Sequence, residues 1–230
     1  MLTEIFGCMY NQPEVVILDN FVLIPYKVLK EKDLSSEAIT VLISILFNKK
    51  NTKSNFFISF SLLEWIIFKK SASKKFRQLI IAGFDELVKK DLVIVSEKMR
   101  DDSFICLLNE VVEYQKGIYC YVVYEQDFNK ILSLNIKNKF IILKYYVFVV
   151  GDFGKLEFKN TKHYGKVWRV NQCNLGKLVG LSISTMYRYN EILVNNKVLY
   201  IQRSRKGHYN MNFFSRYADR DYCISYLQDC

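Results

Sequence analysis

Apolar side chains at Ala38, Val41, Leu42, Ile45 and Leu46 recur with the three-and-four spacing of one helix face. Leu34, Ser35, Ser36 and Glu37 stand just before them, where a serine hydroxyl can cap the first turn. The same period returns at Leu62, Leu63, Ile66 and Ile67 behind Ser59 or Ser61. It returns again at Phe76, Leu79, Ile80, Phe84 and Leu87, in a longer helix from about Lys74. Ser71, Ala72 and Ser73 predict a turn between those two helices. Lys89 and Lys90 close the longer one, where positive charge suits the negative end of the helix dipole. Shorter apolar runs predict strands. Residues 21–25 (FVLIP) form an extended lead-in, 56–58 a short strand, and 92–95 and 104–108 flank a polar tip over 98–102. A polar loop is expected over 48–55.

The second half repeats this order. A helix is predicted over 136–150, a polar loop over 151–165, a short strand over 167–170 and a second helix over 174–179, ending at Gly180. Residues 182–184 predict a turn and 185–195 a third helix. Strands over 198–203 and 209–213 flank a basic tip, 203–208, that contains Gly207. KKSASKKFRQLI and VGLSISTMYRYNEIL align by element order rather than by identity. Helix, turn, helix, strand and charged hairpin is the layout of a winged helix-turn-helix. The pattern therefore predicts an α+β fold, mainly α, with two winged helix-turn-helix domains in tandem, 1–115 and 116–230. The join, near 113–129, contains the strand-like YCYVVY (119–124), so fused domains are expected rather than tethered ones.

Composition narrows the function. Half of the residues are hydrophobic, enough for a packed core, and 2 Pro and 9 Gly leave little material for a flexible linker. The net charge of +10 favours a polyanionic partner. It is uneven: residues 1–115 hold 15 Lys/Arg against 15 Asp/Glu, 116–150 hold 5 against 2, and 151–230 hold 13 against 6. The C-terminal third is the expected contact surface. Six cysteines without CxxC spacing and only 2 His predict no zinc or other metal site. The start, MLTEIFGCMY, lacks a basic n-region and a long apolar run, so free thiols in the cytoplasm are expected. FIILKYYVFVV (140–150) is about half of the ~20 residues that cross a bilayer, and Lys144 interrupts it. It reads as a buried core helix, and no membrane partner is expected. No phosphate-binding, dinucleotide, zinc-protease or nucleophile-elbow motif is present, and the GDFG at 151–154 reads as a turn. No catalytic residue and no cofactor are expected, and the protein is not read as an enzyme.

In such a module the third helix enters the major groove and the wing meets phosphate or the minor groove. The chemistry requires short polar residues at the helix start and Arg, Lys, Gln or Asn on its outer face. In the C-terminal domain these are Ser182, Ser184, Thr185, Tyr187 and Arg188, with Asn190 or Glu191, and the wing supplies Arg203, Arg205, Lys206 and His208. Met186, Tyr189, Ile192 and Leu193 are expected to face inward. A plainer reading makes Ser182 and Ser184 helix caps and Arg188 a solvated side chain. The N-terminal counterparts are Ser71, Ser73, Lys74, Lys75, Arg77 and Gln78, in a domain of zero net charge. That domain is either a second DNA reader or an oligomerisation module.

FVLIPYKVLKEKDLSSEAITVLISILF resembles the opening of winged-helix replication initiators and replisome organisers from low-GC Gram-positive bacteria, their plasmids and phages. These include plasmid initiators of the RepA type and primosome proteins of the DnaD type. LSISTMYRYNEILVNNKVLYIQRS and NMNFFSRYAD resemble the second domain and tail of such proteins, and together the resemblance spans about two-thirds of the chain. It implies sequence-specific binding to double-stranded DNA, as a homodimer, followed by recruitment of other replication proteins. On this likeness Ser184, Thr185, Tyr187 and Arg188 occupy base-reading positions, with Arg203, Arg205 and Lys206 in the wing. A winged-helix transcriptional regulator and an interaction adaptor without DNA contact are the alternatives that the residues leave open.

Overall fold

The computed structural model describes residues 20–49, 55–112, 120–151, 166–169, 172–206 and 209–228. It is a mixed α/β fold with more helix than strand. The first half runs β1 (Phe21–Pro25), α1 (Tyr26–Glu31), α2 (Ser36–Asn48), β2 (Phe56–Ser59), α3 (Phe60–Phe68), α4 (Lys74–Lys89), β3 (Val93–Lys98) and β4 (Ser103–Leu108), then a 3-10 turn, Glu110–Val112. The second runs β5 (Cys120–Tyr124), α5 (Glu125–Ser133), α6 (Lys139–Gly151), β6 (Trp168–Arg169), α7 (Gln172–Val179), α8 (Ile183–Asn195), β7 (Leu199–Lys206) and β8 (Tyr209–Arg216). A 3-10 turn, Tyr217–Asp219, leads to α9 (Arg220–Gln228).

Serine hydroxyls begin three of these helices. Ser35 accepts the Ala38 N–H at 3.1 Å, Ser59 rather than Ser61 accepts that of Leu62 at 3.1 Å, and Ser182 accepts that of Thr185 at 3.2 Å. At the other end of α7, Gly180 takes φ +72, the left-handed conformation that stops a helix at little cost in glycine. The predicted boundaries shift at a few places. Ile183 and Ser184 belong to α8 rather than to the turn, and α7 begins at Gln172. Residues 203–206 continue β7 instead of forming a tip. Val170 and residues 50–54, 113–119 and 152–165 of the expected loops and join lie outside the described residues.

Each half contains helix, strand, helix, helix, strand, strand, and each sheet places its last strand in the middle. The orders are β2-β4-β3 and β6-β8-β7, antiparallel throughout. The join is a strand, as its alternation predicted: β5 pairs antiparallel with β1, with Phe21 opposite Tyr124 and Pro25 opposite Cys120. The lead-in is thereby hydrogen-bonded to the segment that starts the second half.

Helix α6 is buried on nearly every side, through Phe140, Ile142, Leu143 and the run 145–151. A helix apolar all round must be enclosed, and α6 packs on β5, α2, α5, α7 and α8. Lys144 is the charge that interrupts it. Its Nζ donates to the Leu34 carbonyl at 2.7 Å, in the turn that starts α2. Burial holds this ammonium below its usual pKa, against the opposing pull of Asp33, Glu86 and Glu37. Residues of both halves, from Ile24 to Phe214, share one hydrophobic cluster. Within it α2 and α4 meet backbone to backbone: a Cβ on Gly83 would lie 2.7 Å from the Glu37 carbonyl.

A buried polar group also sits where β5, α5, α6 and β8 converge. Asp127 Oδ2 accepts from Arg216 Nε at 2.6 Å and from the Tyr146 hydroxyl. The guanidinium lies 3.4 Å above the centre of the Tyr124 ring. Asp127 is 5% exposed and Arg216 3%. The two sheets differ in what covers their outer faces. Helix α9 lies on β7 and β8, where Cys223 and Tyr226 pack with Phe213. The corresponding face of the first sheet leaves Phe57 51% and Ile94 45% exposed.

Candidate nucleic-acid interface

Helix α8 has two unlike faces. Met186, Tyr189, Asn190 and Leu193 are buried, whereas Ile183, Ser184, Tyr187, Arg188 and Glu191 are exposed. The exposed set falls at one-and-four spacing and so forms a single stripe along the helix. Arg188 and Tyr187 lie at its centre, and Glu191 is its one acid. Ile192 is half buried, in line with its expected inward position. Of the alternatives Asn190 and Glu191, Glu191 is the outward one, because the Asn190 side chain accepts a hydrogen bond from Tyr145 inside the core.

At the start of α8 three hydroxyls meet. Ser182 Oγ lies 3.1 Å from Ser184 Oγ and 2.8 Å from Thr185 Oγ1, besides capping the Thr185 N–H. Ser182 therefore has a structural duty of its own, and the cluster is exposed at Ser182 and Ser184 and half exposed at Thr185. Behind the stripe, the Arg188 guanidinium carbon lies 5.7 Å from the Tyr189 ring centre, within cation–π range.

On the neighbouring hairpin Arg203 is exposed and pairs with Asn212. Arg205 and Lys206 extend the same strand, opposite Asn210 and Tyr209. Their side chains, and His208 altogether, lie outside the described residues.

The N-terminal counterpart is split. Ser71, Ser73, Lys74, Lys75 and Gln78 are exposed at the start of α4. Arg77 is engaged within the chain: it contacts the buried Glu64 at 2.8 Å and Asp102 at 3.4 Å. Glu64 also accepts the Ala72 N–H at 3.1 Å. One guanidinium thus links α3, α4 and the β3–β4 tip. The sequence reading passed over Lys69 and Lys70, which are exposed beside Lys74 and Lys75. Their adjacency to the serine turn was the available signal.

Among the described residues no group of three His, Cys, Asp or Glu side chains could hold a metal ion. Burial pushes the thiols of Cys106, Cys120 and Cys223 up to about 11, so none is a thiolate near neutrality. No helix among the described residues is long and apolar enough to cross a membrane.

Two buried phenols set an alkaline limit. Burial raises Tyr145, against the smaller opposing effect of its Asn190 hydrogen bond; burial also raises Tyr146, helped by the Asp127 charge. In the unfolded chain both ionise near pH 10, while in the fold they keep their protons. The unfolded state therefore binds fewer protons above pH 10, and stability falls as pH rises. The expected slope is up to about 1.4 kcal/mol per group per pH unit. Urea unfolding between pH 8 and about pH 11.5 checks this, and Tyr145→Phe should flatten the decline.

Comparison of the chain with protein-family models, with curated proteins and with solved structures returns no match in any of the three.

Proposed function

We propose that the chain is a sequence-specific double-stranded DNA-binding protein built from two winged helix-turn-helix modules, and that it initiates replication of a plasmid, phage or other mobile element. In this reading α8 is the principal groove helix and β7–β8 its wing, with α4 and β3–β4 as the equivalents in the first module. One observation carries it: the exposed stripe of α8, with Ser184, Tyr187 and Arg188 outward and Met186, Tyr189 and Leu193 in the core. That division lets one helix face rest on the protein while the other meets base edges. The repeated element and sheet orders support it, as does the charge of the C-terminal third. Replication rests on the resemblance to initiators and replisome organisers. The first module is given the lesser role, because its net charge is zero and Arg77 is engaged by Glu64.

The test is a salt titration of the pure protein against random duplex and against DNA from its own gene neighbourhood. Neighbourhood DNA is expected to bind at least ~10³-fold tighter than random duplex, with log affinity falling steeply against log salt. Iterated sites at an origin would favour initiation, and a single palindrome at a promoter would favour transcriptional control. Equal, weak and salt-sensitive binding would reduce the site to a basic surface. No binding in low salt would leave the adaptor.

A further inference from the structure

The inner face of α8 carries one buried side-chain amide, Asn190, among Met186, Tyr189 and Leu193. Apolar contact turns the Met186, Tyr189 and Leu193 face inward but, being non-directional, fixes the rotation only to within the width of that apolar stripe. A hydrogen bond fixes it more narrowly, because it weakens steeply with angle and distance. Asn190 Oδ1 accepts from the Tyr145 hydroxyl at 2.7 Å, and both side chains are buried. The Tyr145 ring also meets the Tyr189 ring edge to face, with centroids 6.0 Å apart. Two successive residues of α8 thus hold one phenol. That phenol stands on α6, the enclosed central helix, next to Tyr146 and its bond to Asp127.

We infer that Tyr145 and Asn190 are a positioning pair, whose hydrogen bond sets the rotation of α8 about its own axis and so determines which bases its outer stripe can read. The inference rests on the DNA-binding reading. Side-chain tips lie about 6 Å from a helix axis, so a rotation of about 20° moves them by about 2 Å. That displacement breaks a base-edge hydrogen bond, yet attraction to the phosphate backbone hardly notices it. An ordinary phenol is protonated at neutral pH, and burial raises Tyr145 further, so the donor is present throughout the neutral range.

The experiment replaces both partners by apolar side chains of similar shape, Tyr145→Phe with Asn190→Leu, a change that leaves stability nearly unaltered because no polar group is left stranded. Affinity is measured on the duplex that the wild type enriches from a random pool, and on random duplex. The double variant is expected to lose about 10-fold or more on the enriched duplex. It should keep the wild-type affinity and salt slope on random duplex. Tyr145→Phe alone should lose the same preference and melt lower, because Asn190 then loses its donor. A double variant that keeps the wild-type ratio between the duplexes overturns the inference. So does an equal loss on both, which would mark a merely structural pair. If the wild type enriches no sequence, the DNA-reading proposal fails and this inference falls with it. That result is told apart from failure of the pair alone, which requires a wild-type preference to be present.

Discussion

Replacing Asp127 by Ala is expected to destabilise the fold by up to about 3–5 kcal/mol, because it removes a buried carboxylate that accepts from both Arg216 and Tyr146. Asp127 and Arg216 are both buried, their atoms are 2.6 Å apart, and the Tyr146 hydroxyl adds a second donor to the same oxygen. Arg216 also meets Asp219, at the longer distance of 3.6 Å, and the Tyr124 ring, so the loss is that of its shortest ion pair. The loss should appear as a lower urea midpoint with an unchanged slope. A triple replacement, Asp127→Leu, Arg216→Met and Tyr146→Phe, should regain most of it, since a buried pair is costly mainly when one partner is removed. If Asp127→Ala unfolds at the wild-type midpoint, the network contributes nothing to holding β5, α5, α6 and β8 together.

The second large effect concerns the interface. Changing Arg188, Arg203 and Arg205 together to Ala should remove sequence preference and weaken binding to every duplex. Arg188 is assigned to a base: a bidentate pair with guanine discriminates by about 1–3 kcal/mol, so this part of the loss should fall on the specific site alone. On the proposed reading the wing residues Arg203 and Arg205 meet phosphate, so the log–log salt slope should shrink by about 0.9 for each, or about 1.8 for both. Single variants separate the roles. Arg188→Ala should change the preference with little effect on the slope, and Arg203→Ala should do the reverse. A triple variant that binds like the wild type would remove α8 and its hairpin from any DNA contact. Fluorescence anisotropy at several salt concentrations reads all of these outcomes.

The elements of this fold were legible because the local signals agree. Serines stand before apolar helical periods at Ser35, Ser59 and Ser182, and each one caps its helix. Alternation in the join at 120–124 marked a strand that pairs with the lead-in. Helices α1, α5 and α9 were not foreseen. They are short, and α5 follows directly on a strand with Phe128, Ile131 and Leu132 on its buried side. A pattern that brief is overshadowed by the stronger period of the strand before it.

At the candidate interface, the helical period separated the inward Met186, Tyr189 and Leu193 from the outward Tyr187 and Arg188. It left Asn190 or Glu191 open as the next outward position, since an amide looks like a surface residue until a buried partner is known; Glu191 is the exposed one. Arg77 presents the same difficulty. Its spacing on α4 suits an outer face, and Glu64, thirteen positions earlier, engages it.

The sequence by itself determined the order of most elements, the serine-bearing starts of three helices, the apolar character of α6 and the concentration of positive charge in the C-terminal third. These depend on near neighbours along the chain and on composition. Only the tertiary structure decided which polar side chains find distant partners: the buried Asp127 with Arg216 across 89 positions, the buried Tyr145 with Asn190 across 45, and the half-buried Lys144 with the Leu34 carbonyl across 110. The reason is physical. A buried polar group is tolerated only where it finds a partner, and in these three cases the partner arrives from elsewhere in the chain, which no local pattern records.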